Sequence, residues 1–166
     1  MQQADEEQTE FIIPAGKKGH VEEMTWTWTL PDSPFGLVSL QVYMMGTHMH
    51  YVGRDMRVTL EHGEFADAPG TEECLVHTPA WDYNWQRGYE YDGALTELPV
   101  MRKGDVIRMT CIYDNHMDNR FVRDALREQG LDAPRDVLLG DDTLDEMCIA
   151  AVGIMYPNER AFQPTP

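Results

Sequence analysis

Short stretches in which apolar and polar residues alternate, separated by turn signals, run along most of this chain. A period of two marks a strand with one buried face. The pattern is clearest in Glu22–Leu30, where Met24, Trp26, Trp28 and Leu30 interleave with threonines, and it returns in Arg54–Glu61 through Met56, Val58 and Leu60. Leu37–Tyr51 is a longer apolar run that reads as one strand or two. Cys74–His77 and Trp81–Gln86 are shorter candidates around Pro79. The turn Lys103-Gly104-Asp105 launches Val106–Tyr113, and Glu146–Tyr156 reads as the last strand. Pro31–Gly36 is a turn and Glu64–Gly70 a loop. Only Arg120–Gln129 changes period: Phe121, Val122, Ala125 and Leu126 recur at helical spacing, and Gly130 is a stop. Many short strands and one inserted short helix predict an all-β fold, an antiparallel, jelly-roll-like β-sandwich. The expected layout is a flexible acidic arm over 1–10, one sandwich domain over 11–157 and a loose tail over 158–166.

Composition narrows the partners. The chain of 166 residues carries 13 Lys and Arg against 29 Asp and Glu, a formal charge of -16. Nucleic acid and anionic membrane surfaces would repel it, so no nucleic-acid partner is expected, whereas cations are attracted. The uncharged stretch Pro34–Gly53 contains Pro34, Gly36, Gly46, His48 and His50, which suits strands rather than a membrane span. The polar start Gln2–Gln8 is expected as the trimmed end of an exported protein, secreted or periplasmic. Three cysteines, Cys74, Cys111 and Cys148, leave one thiol over if two pair, and composition alone does not choose the pair.

Candidate chemistry concentrates in two distant segments. Thr47-His48-Met49-His50 offers two imidazoles at i and i+2, on one side of a strand, and Asp145-Glu146-Met147-Cys148 offers a thioether. Imidazole alone accepts zinc, copper, nickel or iron; adding a thioether favours copper. Other groupings are weaker. Cys74 and His77 would suit zinc but lack further ligands nearby, and Asp141, Asp142 and Asp145 lack a dedicated calcium-loop pattern. Cys74 is expected as a small buried hydrophobe, most methionines as core, and Trp26 with Trp28 as core rather than a sugar platform.

These two segments, together with Gly104-Asp105 leading to Cys111, resemble the C-terminal catalytic domain of the ascorbate-dependent type II copper monooxygenases, the peptidylglycine α-hydroxylating and dopamine β-monooxygenase family. The run Trp81-Asp82-Tyr83-Asn84-Trp85-Gln86 looks like a segment of some members, and the resemblance spans roughly Leu37 to Pro157. It implies that His48, His50 and Met147 hold one oxygen-binding copper ion. It also implies a Cys111–Cys148 disulfide, hence an oxidising compartment, and leaves Cys74 as the odd thiol. It further implies a reductant, ascorbate or a redox protein, and a small-molecule or peptide-like substrate. This chain departs from the family in three ways: it is too short to hold the second copper domain as well, Ala151 stands where a pocket Tyr is usual, and Gly46 where a substrate-anchoring Arg is usual.

Two further readings stand beside the monooxygenase: a copper-binding or electron-transfer module without catalysis, and a cupin-like metal protein. The second rests on His48-x-His50 with Asp55 and Gly63, which loosely resemble the first cupin motif.

Overall fold

The structure, a computed structural model, describes residues 11–29 and 39–155. The expected acidic arm, the turn at Pro31–Gly36 and the tail over 158–166 lie outside the described residues. In chain order come β1 (Ile12–Ile13), β2 (His20–Thr27), β3 (Ser39–His48), β4 (Gly53–Glu61), β5 (Glu72–Thr78) and β6 (Gly88–Glu90). They are followed by β7 (Val100–Arg102), β8 (Val106–Tyr113), helix α1 (Arg120–Glu128), β9 (Val137–Leu138) and β10 (Ile149–Met155).

One four-stranded sheet runs β2-β8-β4-β5; a second runs β10-β3-β6, with β7 also paired to β3; β1 and β9 form a small third ladder. All pairings between these strands are antiparallel. The predicted all-β sandwich with one short helix is therefore the observed architecture. The reason is visible in the buried set. Met24, Met56, Val58, Leu60 and Ile107 from the first sheet join Leu40, Val42 and Met45 from the second in one cluster; Met56, Val58 and Leu60 keep the period of two, while the skipped Tyr43 carries the buried face of β3 from Val42 to Met45. Helix α1 adds Val122 and Leu126 to the same cluster; Ala125 is buried with them, Asn119 caps its start by accepting from the Phe121 amide, and Gly130 at φ 69° follows its end.

Two local expectations change. Trp81–Gln86 is not a strand. Asp82 turns the chain, its side chain accepting from the Asn84 amide at 2.9 Å and its carbonyl from the Trp85 amide at 2.8 Å, and this turn chemistry overrides the aromatic strand propensity. Cys74 is exposed rather than buried. A register shift between Val58 and Thr59 opposes Val58 to Val76 and Thr59 to Cys74, and the skipped residue Leu75 takes the core position.

A second register shift, between Gly153 and Ile154 on β10, explains a glycine. A Cβ at Gly153 would sit 2.8 Å from the Tyr43 ring and 2.9 Å from Met44 Cβ. Gly153→Ala is therefore expected to cost about 1–3 kcal/mol by overpacking, read as a lowered denaturation midpoint; an unchanged midpoint would show that the strand shifts freely.

Two features of the fold place the candidate site. The chain leaves the second sheet at His48 and enters the first at Gly53, so residues 49–52 cross between sheets without a ladder partner of their own. The Cys111–Cys148 disulfide, both cysteines buried, ties the middle of β8 to the residue just before β10. No helix among the described residues is long and apolar enough to cross a membrane.

Candidate metal centre

His48 is the last residue of β3 and lies opposite Ile149, the first residue of β10. The inside-outside alternation continues beyond the ladder on both chains. Met49 is wholly buried between the partly exposed His48 and His50, and Cys148 is buried between the partly exposed Met147 and the exposed Ile149. His50 therefore lies outside the strand that was expected to carry it, yet keeps the same outward side as His48. Their ring centroids are 5.1 Å apart with planes at 83°. The β3–β10 ladder ends at His48 opposite Ile149, two residues before His50 on one side and two after Met147 on the other.

Hydrogen bonds fix which nitrogen each imidazole presents. His50 Nδ1 lies 2.9 Å from the Asp145 carbonyl, which can only accept, so Nδ1 carries the proton. His48 Nδ1 lies 2.6 Å from Gln86 Oε1, while the Gln86 amide nitrogen donates to the Tyr83 carbonyl at 2.9 Å; the oxygen is left for His48, whose Nδ1 again donates. In the neutral form each ring would hold its lone pair on Nε2, the tautomer a metal ligand needs, with outer partners that orient it. The backbone of His50 is held as well. Its carbonyl accepts from Trp81 Nε1 at 3.1 Å, and its amide donates to Glu146 Oε1. Tyr83 stands edge-on to His50, centroids 6.3 Å apart, and stacks on Tyr51 at 4.2 Å.

Met147 is pinned on both sides of its Cα. Its amide donates to Glu146 Oε1 at 2.8 Å, and its carbonyl accepts from the Tyr113 hydroxyl at 3.1 Å. Burial raises the Tyr113 pKa well above the ordinary phenol value, which keeps that donor protonated. The next residue is the disulfide-bonded Cys148.

Glu146 itself is wholly buried. Burial pushes its pKa up to about 8, and the amides of His50, Met147, Val52 and Gly53 pull it only part of the way back. Among the described residues its Oε2 has no partner in hydrogen-bond geometry.

The remaining candidates separate from this place. The carboxylate of Asp55 lies 3.1 Å from His77 Nε2 on the neighbouring strand β5, so the cupin-like pairing of Asp55 with His48 and His50 has no support in the geometry. His116 Nδ1 accepts from the Asp118 amide at 3.0 Å, and its ring lies 3.7 Å from the Asp114 and Asp118 carboxylates, within a polar loop. Among the described residues no three His, Cys, Asp or Glu side chains are placed to share an ion. Beside His48 and His50, Met147 is a soft donor type whose amide shares the Glu146 Oε1 acceptor with the His50 amide. Two imidazoles whose Nδ1 protons are committed and one thioether suit copper, Cu(I) above all, better than zinc or a hard cation.

His48, His50 and Met147 carry a signal in the sequence; the groups bonded to them do not. Gln86 stood in a segment noted only for its likeness, and Glu146 and Tyr113 carried no motif of their own. The one available signal for Glu146 was a carboxylate inside a run read as a strand, next to an apolar residue and a cysteine. No family model matches the chain, and no curated protein matches it.

Proposed function

We propose that this protein is an exported mononuclear copper protein, similar to the catalytic domain of a copper monooxygenase, with His48, His50 and Met147 as ligands. The observation that carries the reading is the pair of imidazoles whose Nδ1 protons are both committed, to Asp145 and to Gln86, so that both Nε2 atoms are left as donors on one outward side. A copper ion held there supplies one-electron redox chemistry and the activation of dioxygen or peroxide for C–H hydroxylation.

The chain's own contribution is positional. Asp145 and Gln86 orient the rings, Trp81 and Glu146 hold His50 in place, and Tyr113 and the disulfide hold Met147. The site lies at the outer side of the sheet beside Gly46 and Ala151, which pair across β3 and β10 and offer a substrate neither charge nor phenol. That disfavours a substrate anchored through a carboxylate and leaves a small-molecule or peptide-like compound, with electrons from ascorbate or a redox protein. The buried disulfide is compatible with an oxidising, secreted or periplasmic setting. A non-catalytic copper carrier or electron-transfer module shares the same ligands and differs in turnover: bound copper that consumes no more peroxide or ascorbate than a free-copper control would select it.

The test is Cu(I) affinity under anaerobic conditions, by competition with a chromogenic chelator. Wild type is expected to take up one ion. His48→Ala, His50→Ala and Met147→Ala are each expected to weaken it by about tenfold or more, of order 1.4 kcal/mol. Met147→Ala should leave zinc affinity nearly unchanged, because a thioether adds little to zinc. Equal Cu(I) affinity in wild type and Met147→Ala would remove the methionine from the site and the copper preference with it.

A further inference from the structure

We infer that Glu146 is the positioning residue of this centre, the group that sets the spacing between His50 and Met147 without touching the ion. The inference rests on the copper reading above and goes beyond it by assigning a role to a residue that is not a ligand.

The argument begins with backbone accounting. His50 sits in the crossing between the two sheets, after β3 has ended and before β4 begins, and Met147 sits before β10 begins. Neither amide has a ladder partner, and a backbone N–H away from water needs an acceptor. One atom serves both: Glu146 Oε1 accepts from the His50 amide and from the Met147 amide, the latter at 2.8 Å. Two amides that share one acceptor atom cannot separate without losing a hydrogen bond, so the distance between the two ligand-bearing backbones is fixed by a third group.

That third group is itself immobile. The Glu146 amide donates to the Leu138 carbonyl at 2.9 Å, its carbonyl accepts from the Gly140 amide at 3.2 Å, and its side chain is wholly enclosed. The His50 backbone is thus tied to an enclosed carboxyl 96 positions further along the chain, the one that also holds the Met147 amide. The disulfide at Cys148 holds the Met147 segment against β8 without reaching His50; the His50 ring is tied to the Asp145 carbonyl, and Glu146 is the group that ties the His50 and Met147 amides to one atom.

The experiment compares wild type with Glu146→Ala, Glu146→Gln, Glu146→Asp and, as a control for general loss of stability, Val58→Ala in the core of β4. Each metal-free protein is unfolded by denaturant, then titrated with Cu(I) and studied by X-ray absorption for the sulfur scatterer. Glu146→Gln keeps an acceptor oxygen at the same reach and is expected to retain both affinity and the sulfur signal. Glu146→Ala removes the acceptor, and Glu146→Asp draws it back by one methylene. Both are expected to lose about 10–100-fold in Cu(I) affinity, the range for groups that orient ligands, together with the sulfur signal. Val58→Ala should lower the denaturation midpoint while keeping affinity and sulfur. If Glu146→Ala does not fold, the Gln and Asp pair carries the same comparison. Wild-type affinity and sulfur in Glu146→Ala or Glu146→Asp would overturn the inference, as would equal losses in Glu146→Gln and Glu146→Ala, or a loss in Val58→Ala matching its stability. A wild type that binds no Cu(I) would instead remove the copper reading on which the inference rests.

Discussion

Replacing Cys111 and Cys148 together by alanine is expected to lower the unfolding free energy by about 4 kcal/mol, the largest single effect foreseen for this chain. The bond closes a segment with a sequence separation of 37, and both cysteines are buried at 0% and 1% exposure, so its loss frees the unfolded chain and leaves two small gaps in the core. The effect reaches the candidate site because Cys148 follows Met147 directly. Without the disulfide, the Met147 segment keeps its hydrogen bonds to Glu146 and Tyr113 but loses its covalent tie to β8, and Cu(I) affinity should fall along with stability. Denaturant unfolding of the oxidised protein, with and without a reductant, measures the first part. Cys74→Ala is the control: that thiol is free and exposed, and its removal should change stability by less than about 0.5 kcal/mol. A double variant as stable as wild type would mean that the two sheets hold this corner without the bond.

The second large effect is a pH dependence that runs opposite to the usual one for a carboxyl. Glu146 has a folded pKa pushed up to about 8 by burial, against an ordinary value of 4.5. Between those values the folded protein holds a proton that the unfolded chain has released. The stability associated with this group is therefore fully present below the ordinary value and is lost as pH rises through about 8. The loss is expected to amount to a few kcal/mol, since each tenfold change in proton affinity is worth roughly 1.4 kcal/mol. Other groups also titrate, so the measurement is a difference: denaturant unfolding of metal-free wild type and Glu146→Gln from about pH 5 to about pH 9. Gln mimics the protonated acid, so wild type should fall relative to the variant across this range. Parallel curves would show that Glu146 is ionised in the folded protein throughout.

Where the pattern of the chain is local, it was readable. Met24 and Trp26 alternate with threonines in β2; Met56, Val58 and Leu60 alternate and form β4; and Phe121 to Leu126, with Gly130 beyond, mark the helix. Side-chain period is a property of consecutive residues, so the all-β class and the single helix follow from it. His48 and His50 were legible for the same reason, as an i, i+2 pair with an outward side in common. The Cys111–Cys148 pairing came from resemblance rather than spacing, and the structure contains it.

Trp81–Gln86 shows where local reasoning fails. Its aromatics favour a strand, yet Asp82 bonds to its own neighbours and turns the chain, and that turn brings Gln86 to His48. Glu146 shows the deeper limit. A carboxyl near a strand start is expected in water, and nothing in its neighbours announces that it is enclosed beneath a crossing 96 residues earlier in the chain. Which segments meet, which amides are left without a ladder partner and which side chain must supply the acceptor depend on sheet order and register, set by the packing of the whole core. The sequence by itself therefore determined the strands, the helix and the candidate donors. Only the tertiary structure decided that His50 and Met147 face a common carboxyl, because burial and hydrogen-bond partnership are properties of residues far apart in the chain.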